Sequence, residues 1–108
     1  MVYKVILSNR ALDDVNQIVT YLLKNWTIRE ANSFLDKLKQ LKKIISSDPS
    51  IFSYYDKERK IHKAVLTKHN IVFYKVDLLV KAVQIITIFN VYQDPEKLKV
   101  GFKNHQNS

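Results

Sequence analysis

Residues 61–89 read IHKAVLTKHNIVFYKVDLLVKAVQIITIF and contain three apolar stretches, at 61–66, 71–76 and 82–89. Each stretch has the length of a single strand, and the connections between them are short enough for hairpins. Strands that are joined by hairpins run antiparallel. The region therefore predicts a three-stranded antiparallel meander, around which the rest of the chain must pack.

An apolar strand and a helix precede the meander. Residues 2–7 alternate around Lys4 with apolar side chains on both faces, which is typical of a central strand. Ser8 is a natural N-cap, and apolar residues recur behind it at helical spacing. Asp14 sits early in this helix, where the helix dipole favours a negative charge. We predict the first helix over residues 9–24.

A second helix follows a tight elbow, which Trp26 is placed to fill. Thr27 and Glu30 have the spacing of a capping box, so the helix should begin here. Its predicted buried stripe comprises Ala31, Phe34, Leu35, Leu38, Leu41 and Ile45. Pro49 cannot continue the helix, and we expect a loop from there to about Lys60.

This order of elements predicts an α+β fold with an N-terminal strand, an α-helical hairpin and a three-stranded antiparallel meander. The strands form one twisted sheet, and the helical hairpin packs against it. The 108 residues suffice for a single domain. We place that domain at residues 1–100 and read residues 101–108 as a flexible polar tail. With no signal peptide or membrane span expected, the sequence indicates a cytoplasmic protein.

Charge and composition limit the possible functions. Eighteen Lys and Arg against ten Asp and Glu give a net charge of +8, which favours nucleic acid or an acidic protein as partner. The absence of cysteine excludes disulfides, thiolate zinc sites and cysteine nucleophiles. The only glycine is Gly101, so a phosphate-binding loop or a dinucleotide fingerprint cannot be built. We expect no cofactor.

Several short motifs occur in an order that resembles the RelE/ParE superfamily of bacterial type II toxins, over about residues 3–98. The matching residues are Tyr3-Lys4-Val5, Ala11 and Asp14, Tyr21, Trp26, Ala31, Phe34, Pro49, Lys63-Ala64-Val65-Leu66, Tyr74 and Gln93-Asp94-Pro95. The resemblance implies the toxin of a toxin–antitoxin module, of the kind associated with plasmid stabilization and growth inhibition. It also implies a cognate antitoxin that forms a hetero-oligomer with the toxin.

The superfamily implies two different mechanisms. RelE-like members cleave mRNA in the ribosomal A site, whereas ParE-like members poison DNA gyrase and carry no comparable catalytic residues. At the positions of the ribonuclease residues this chain has Ala64, Ile71, Tyr92 and Leu98, and the first two cannot act as base or cation. The resemblance is therefore more ParE-like, with DNA gyrase as the implied target.

The alternative is a ribosome-dependent mRNA endonuclease with a rearranged active site. Its catalytic candidates are His62, Lys63, His69 and Tyr92, because histidine titrates near neutral pH and tyrosine can stack on a base. The plainer interpretation is that both histidines are exposed on a solvated hairpin and that Tyr92 is a core or interface aromatic. Together with His105, the histidines have no metal-ligand spacing, so we predict no metal site.

Two further groups are candidates for binding. The basic residues that could contact nucleic acid or the target are Lys57, Arg59, Lys60, Lys63, Lys68 and Lys75. They could equally form a solvated face. The candidates for antitoxin contact are Leu23, Ile28 and Phe102, which are equally plausible as ordinary packing. Tyr54 and Tyr55 could stack on bases, but we expect them to close the loop over the core.

Overall fold

The computed structural model of the protein describes residues 2–91. Its elements are β1 (Lys4–Leu7), α1 (Asn9–Asn25), α2 (Ile28–Ser47), β2 (Tyr54–Asp56), β3 (Ile61–Thr67), β4 (Asn70–Asp77) and β5 (Ala82–Asn90). The predicted α+β class is confirmed, with the helical hairpin followed by the meander β3-β4-β5. The predicted polar tail at 101–108 lies outside the described residues.

The five strands form one sheet in the order β1-β5-β4-β3-β2. The meander is antiparallel, as predicted, and β1 pairs in parallel with β5. The prediction that β1 is central is wrong, because β1 lies at an edge of the sheet. It is apolar on both faces for a different reason: Val5 packs against the core under the helices, while Ile6 on the other face is 42% exposed.

The connection after α2 contains β2, so the prediction of a loop up to Lys60 is also wrong. β2 pairs with the start of β3 through Tyr54 and His62. The turns that lead into β3 and β5 place Lys60 and Lys81 in the left-handed region, at φ 57° and 53°. Glycine usually takes such positions, but this chain forms these hairpins with lysine instead.

Both helices pack on one face of the sheet. The buried core between them comprises Ala11, Phe34, Leu38, Leu41, Ile45, Ala64, Val72, Tyr74, Val83, Ile85 and Ile88. Five of the six residues in the predicted stripe of α2 are buried, whereas Leu35 is 40% exposed. Leu35 lies on the flank of the helix rather than on its core face.

A second, smaller apolar cluster lies on the opposite face of the sheet. It contains Ile61, Phe73, Ile86 and Phe89. Phe73 points away from the helices because its strand neighbours Val72 and Tyr74 point towards them. A bulge in β5 leaves Ile86 without a paired residue, since Phe73 pairs with Thr87 and Tyr74 pairs with Ile85. We call the side of the sheet away from the helices the open face.

The two helices begin differently. The Ser8 hydroxyl accepts a hydrogen bond from the Ala11 amide, which confirms the predicted cap of α1. Thr27 makes no side-chain bond to the backbone of α2, so the full capping box is not formed. Its hydroxyl instead donates to the Glu30 carboxylate, and this hydrogen bond lowers the pKa of Glu30. Within residues 2–91 no helix is long and apolar enough to cross a membrane.

Candidate functional site

His62 is held in a stack of aromatic rings near the start of β3. Its ring lies 4.8 Å from that of Tyr74 with an interplanar angle of 7°, and 4.3 Å from that of Tyr54. Nδ1 lies 2.8 Å from the carbonyl oxygen of Phe52, so in the neutral ring this nitrogen carries the proton. His62 is only 6% exposed, and the interpretation of an exposed histidine is therefore wrong.

Tyr74 fixes the inner end of this stack. Its hydroxyl donates to the carbonyl oxygen of Pro49 across 2.7 Å, and the residue is fully buried. Burial raises the pKa of Tyr74 to about 12. Since Pro49 and Phe52 belong to the connection after α2, Tyr74 and His62 together attach that connection to the sheet.

An open groove of about 1020 Å³ borders the stack. The charged residues and the polar aromatic residues that line it are Tyr3, Asp48, Tyr54, Lys60, His62, Lys75 and Asp77. The lining therefore contains both cations and carboxylates. Tyr54, which is 47% exposed, offers the groove an aromatic ring on which a base can stack. The groove does not, however, present an electrostatic field of a single sign.

The structure separates the candidate catalytic residues. His62 lies on the helix side of β3, and the exposed Lys63, as its neighbour in the strand, points to the open face. His69 lies in the turn at the other end of β3, which is about 17 Å away at 3.3 Å per residue. Tyr92 lies outside the described residues. No common cleft joins the three that are described.

The two ribonuclease positions inside the described region are filled by apolar side chains. Ala64 is 1% exposed in the core beneath the helices, and Ile71 packs against the cluster on the open face. Neither position can supply a base or a cation for phosphate chemistry. Among residues 2–91 there is also no group of three or more His, Asp or Glu side chains that could hold a metal ion.

The basic candidates fall into three places rather than one. Lys57, Arg59 and Lys60 lie around the turn between β2 and β3, where Arg59 forms an ion pair with Asp56 at 2.9 Å. Hydrogen bonds from Arg59 lower the pKa of Asp56. Lys68 lies in the turn at the far end of β3.

Lys63 and Lys75 form the third place, on the open face. They share this face because Lys63 pairs with Phe73, and Lys75 follows Phe73 by two residues in the same strand. Tyr55, which is 51% exposed, lies beside them with its ring 4.9 Å from that of Phe73. The open face therefore combines an apolar base with two lysines.

Exposed apolar side chains occur at and near the elbow between the helices. Trp26 is 62% exposed, so the prediction that it fills the elbow is wrong. Tyr21, Leu23 and Ile28, which are near it in sequence, are 58%, 51% and 68% exposed. We call these four residues the elbow patch. It includes the two antitoxin candidates that the structure describes, while Phe102 lies outside the described residues.

One partly buried polar contact was missed by the sequence analysis. Asp14 accepts hydrogen bonds from the Thr87 hydroxyl and from the amide of Ile88, in the part of β5 beyond the end of β1. Arg10 Nε donates to the same hydroxyl across 3.3 Å. Burial raises the pKa of Asp14 above 3.8, and the hydrogen bonds partly oppose this rise. Asp14 therefore accepts hydrogen bonds from the edge of β5, rather than interacting mainly with the helix dipole.

The arrangement of two helices on a five-stranded sheet also occurs in a solved structure of another protein. A solved structure described as the chromosomal ParDE TA system from P. aeruginosa superposes with a TM-score of 0.68. The identity is 12%, and the match covers 82% of this chain and 96% of that chain. At this identity the likeness shows the fold.

The family follows from the sequence itself. A family model described as the ParE toxin of the type II toxin–antitoxin system, parDE, matches residues 5–95. This range is most of the chain, and the protein belongs to that family. A search of curated proteins found no significant match. The predicted toxin family is confirmed.

Proposed function

We propose that this protein arrests bacterial growth in the cytoplasm by inhibiting DNA gyrase, and that a cognate antitoxin neutralises it in a hetero-oligomer. The observation that carries the proposal is membership of the ParE toxin family over residues 5–95. Fold alone would not decide the target, because one fold hosts different activities. The arrangement of the side chains supplies the remaining arguments.

The dispersal of the ribonuclease candidates supports a mechanism based on binding. Metal-free RNA cleavage requires a base and an acid within hydrogen-bond reach of one scissile phosphate. His62 and Lys63 point to opposite faces of β3, and His69 lies at its other end. His62 is also engaged in holding the Phe52 carbonyl. A protein that acts by binding to its target needs none of these residues to converge.

The charge distribution suits a target with acidic surfaces, such as a complex of gyrase with DNA. The net charge is +8, and Lys63 and Lys75 project from the open face. Cations attract a polyanionic partner over distances of about a Debye length. We therefore assign target contact to Lys63 and Lys75, with Lys57 and Lys60 at the adjoining turn.

The elbow patch is the best candidate for one antitoxin contact. Leu23, Trp26 and Ile28 are each more than half exposed and close together in sequence. Exposed apolar side chains that form a contiguous patch mark interaction sites on soluble proteins. An amphipathic helix of the antitoxin could cover this patch along the helical hairpin.

The first test is to induce the protein in bacteria and to follow labelled thymidine and labelled amino acid over the first minutes of growth arrest. Gyrase inhibition should stop DNA synthesis first, while translation continues. An early fall in translation would contradict the proposal and favour the mRNA endonuclease. Purified protein should also inhibit supercoiling by gyrase, and no effect at saturating toxin would reject gyrase as the target.

Substitutions then separate the two mechanisms. Lys63→Glu with Lys75→Glu should weaken growth arrest. Lys37→Glu with Lys39→Glu, which makes the same change of net charge at exposed positions on α2, is the matched control and should not. His69→Ala should leave growth arrest unchanged. Loss of toxicity in that variant, with unfolding temperature preserved, would restore the endonuclease assignment.

A further inference from the structure

The turn between β4 and β5 carries three consecutive large apolar residues in solvent. Leu78, Leu79 and Val80 are 71%, 96% and 69% exposed, and none of them belongs to either apolar cluster of the fold. Hairpin turns usually consist of residues such as glycine, asparagine and aspartate, which suit a reversal of the chain. The fold therefore does not explain why large apolar side chains stand here. We call these three residues the hairpin tip.

The main chain of the hairpin tip is anchored to the sheet. The Asp77 carboxylate accepts hydrogen bonds from the amides of Leu79 and Val80, at 3.0 and 3.4 Å. Lys81 lies in the left-handed region, and its carbonyl accepts a hydrogen bond from the Lys4 amide of β1 at 3.0 Å. In an apolar medium, main-chain groups are costly unless they are hydrogen-bonded. Two amides of the tip already have an acceptor, so entering such a medium leaves neither of them without a partner.

Cations outnumber carboxylates around the base of the hairpin tip. The cations within two residue pairs of the tip, or in the groove beside His62 that the tip borders, are Lys4, Lys60, Lys75 and Lys81. The carboxylates of that groove, among the described residues, are Asp48 and Asp77. The base of the tip therefore carries an excess of positive charge, in a protein whose net charge is +8.

The shape of the hairpin tip favours a fluid partner over a rigid one. Consecutive residues of a turn project in different directions, so a flat protein surface cannot cover all three side chains. Leu79, at 96% exposure, is surrounded by solvent on nearly every side. The boundary of a lipid bilayer can enclose such a projection, because lipids rearrange around it. Anionic headgroups at that boundary attract lysines whose stems lie beside the apolar contact.

We propose that the hairpin tip inserts into the surface of a membrane that contains anionic lipids, and that Lys4, Lys75 and Lys81 contact the headgroups. Binding of this kind scales with the apolar area that leaves water and with the attraction between cations and anionic lipids. This inference goes beyond the proposed function and does not rest on it, because binding to vesicles is measured without gyrase or antitoxin.

The hairpin tip and the elbow patch lie at opposite ends of α2. The C-terminal end of this helix is tied to the start of β1, where the Ser46 hydroxyl donates to the Tyr3 carbonyl next to Lys4. Its other end begins at the elbow, and a helix of 20 residues is about 30 Å long. A protein attached to a membrane through the tip would therefore keep the elbow patch accessible.

Sedimentation of the full chain with lipid vesicles tests the proposal. We expect binding to vesicles of phosphatidylcholine mixed with phosphatidylglycerol, and binding at least about tenfold weaker to phosphatidylcholine alone. Added salt should weaken binding to the anionic vesicles without abolishing it, because salt screens the charges but not the apolar contact. No binding to the anionic vesicles, or equal binding to both kinds, would overturn the proposal.

Substitutions of apolar residues distinguish insertion from the general attraction between a basic protein and an anionic surface. Leu78→Ser with Leu79→Ser should weaken vesicle binding at least about tenfold. Leu12→Ser with Val65→Ser removes two side chains that are 49% and 65% exposed elsewhere, and should leave binding unchanged. Thermal unfolding checks that both variants are folded. Equal binding by the folded tip variant would overturn insertion.

Substitutions of cations test the contact with the headgroups. Lys4→Gln with Lys81→Gln should weaken binding to the anionic vesicles about tenfold. Lys24→Gln with Arg29→Gln removes the same charge at the elbow, several Debye lengths of about 10 Å away, and should have a much smaller effect. Equal losses in the two variants would show that net charge alone acts, and would contradict the assigned headgroup contacts.

A fluorescent label reports which part of the protein enters the bilayer. The chain contains no cysteine, so a single introduced thiol can be labelled selectively. An environment-sensitive fluorophore on the Leu79→Cys variant should shift to shorter wavelength with anionic vesicles, whereas the same label on Val65→Cys should not. A shift only in the Val65→Cys variant would overturn the proposal. A dimer that depends on the tip, without vesicle binding, would show a second copy as the occupant and would also overturn it.

Discussion

The central strands and the edge strands of the sheet differ in length and in how far their side chains are buried. β4 and β5 are eight and nine residues long, and most of their side chains are buried. β1 and β2, at the two edges, have four and three residues and remain partly exposed. The centre therefore gains stability from the removal of apolar surface from water, while the edges keep main chain and side chains accessible to partners.

The largest expected effect comes from a cavity in the centre. Ile85→Ala removes a fully buried side chain from β5 and should lower the free energy of unfolding by about 2–5 kcal/mol. Ile6→Ala, on the edge strand and 42% exposed, should cost about 1 kcal/mol or less. Urea unfolding of the two variants measures the difference. Equal losses would mean that β1 is as tightly packed as β5, contrary to this comparison.

A smaller loss is expected where a side chain closes the edge of β5. Asp14→Ala leaves the Thr87 hydroxyl and the Ile88 amide without their acceptor, at a cost of about 1–3 kcal/mol. Asp13→Ala is the matched control, because its carboxylate is an exposed neighbour on the same helix. The two variants can be compared by thermal unfolding. If Asp13→Ala were the more damaging change, the carboxylates would act through the helix dipole instead.

The contribution of the Tyr74 hydroxyl to the free energy of unfolding should depend on pH. Tyr74→Phe removes the hydrogen bond to Pro49 and should cost about 0.5–1.5 kcal/mol near neutral pH. Because burial raises the pKa of Tyr74 from 10.0 to about 12, the folded state retains the proton longer than the unfolded state. The parent protein should then lose stability as pH rises from 10 towards 12, and the variant should lack this loss.

Unfolding by urea at several alkaline pH values checks the direction of this change in stability. The gap in stability between the parent and Tyr74→Phe should narrow above pH 10. A gap that widens with pH would mean that the phenolate is stabilised in the fold, and would contradict the buried environment of this ring.

The smallest effect is expected at the tip of the hairpin between β4 and β5. Leu79 is 96% exposed, so Leu79→Ser should change the free energy of unfolding by no more than about 0.5 kcal/mol. Leu38→Ser, at a position only 6% exposed, is the contrasting variant and should be strongly destabilising. A large loss for Leu79→Ser would place the tip among the packed parts of the protein.

Local pattern was enough to find most elements. The predicted strands at 61–66, 71–76 and 82–89 differ from β3, β4 and β5 by at most one residue at each end, and the predicted first helix differs from α1 by one. Period-two and helical repeats of apolar residues report which face of an element is buried, and this information is contained in neighbouring residues. β2 was missed because three residues are too short to show a period.

The functional surfaces were harder to predict. Leu23 and Ile28 were suggested by family resemblance, and their exposure depends on how the two helices meet at the elbow. His62 was expected in solvent, yet the connection after α2 folds back and supplies the Phe52 carbonyl and the Tyr54 ring. Nothing near His62 in sequence shows this, because β2 and Tyr74 reach it only through sheet pairing.

The sequence by itself determined the α+β class, the helical hairpin, the antiparallel meander and the basic charge, since each depends on composition or on local periodicity. Only the tertiary structure decided that β1 is an edge strand parallel to β5, that Asp14 bonds Thr87, and that three lysines of α2 line a groove beside Val5. The physical reason is that strand order and helix placement depend on contacts between distant residues. A periodic pattern gives the buried face of an element but not the neighbour that covers it.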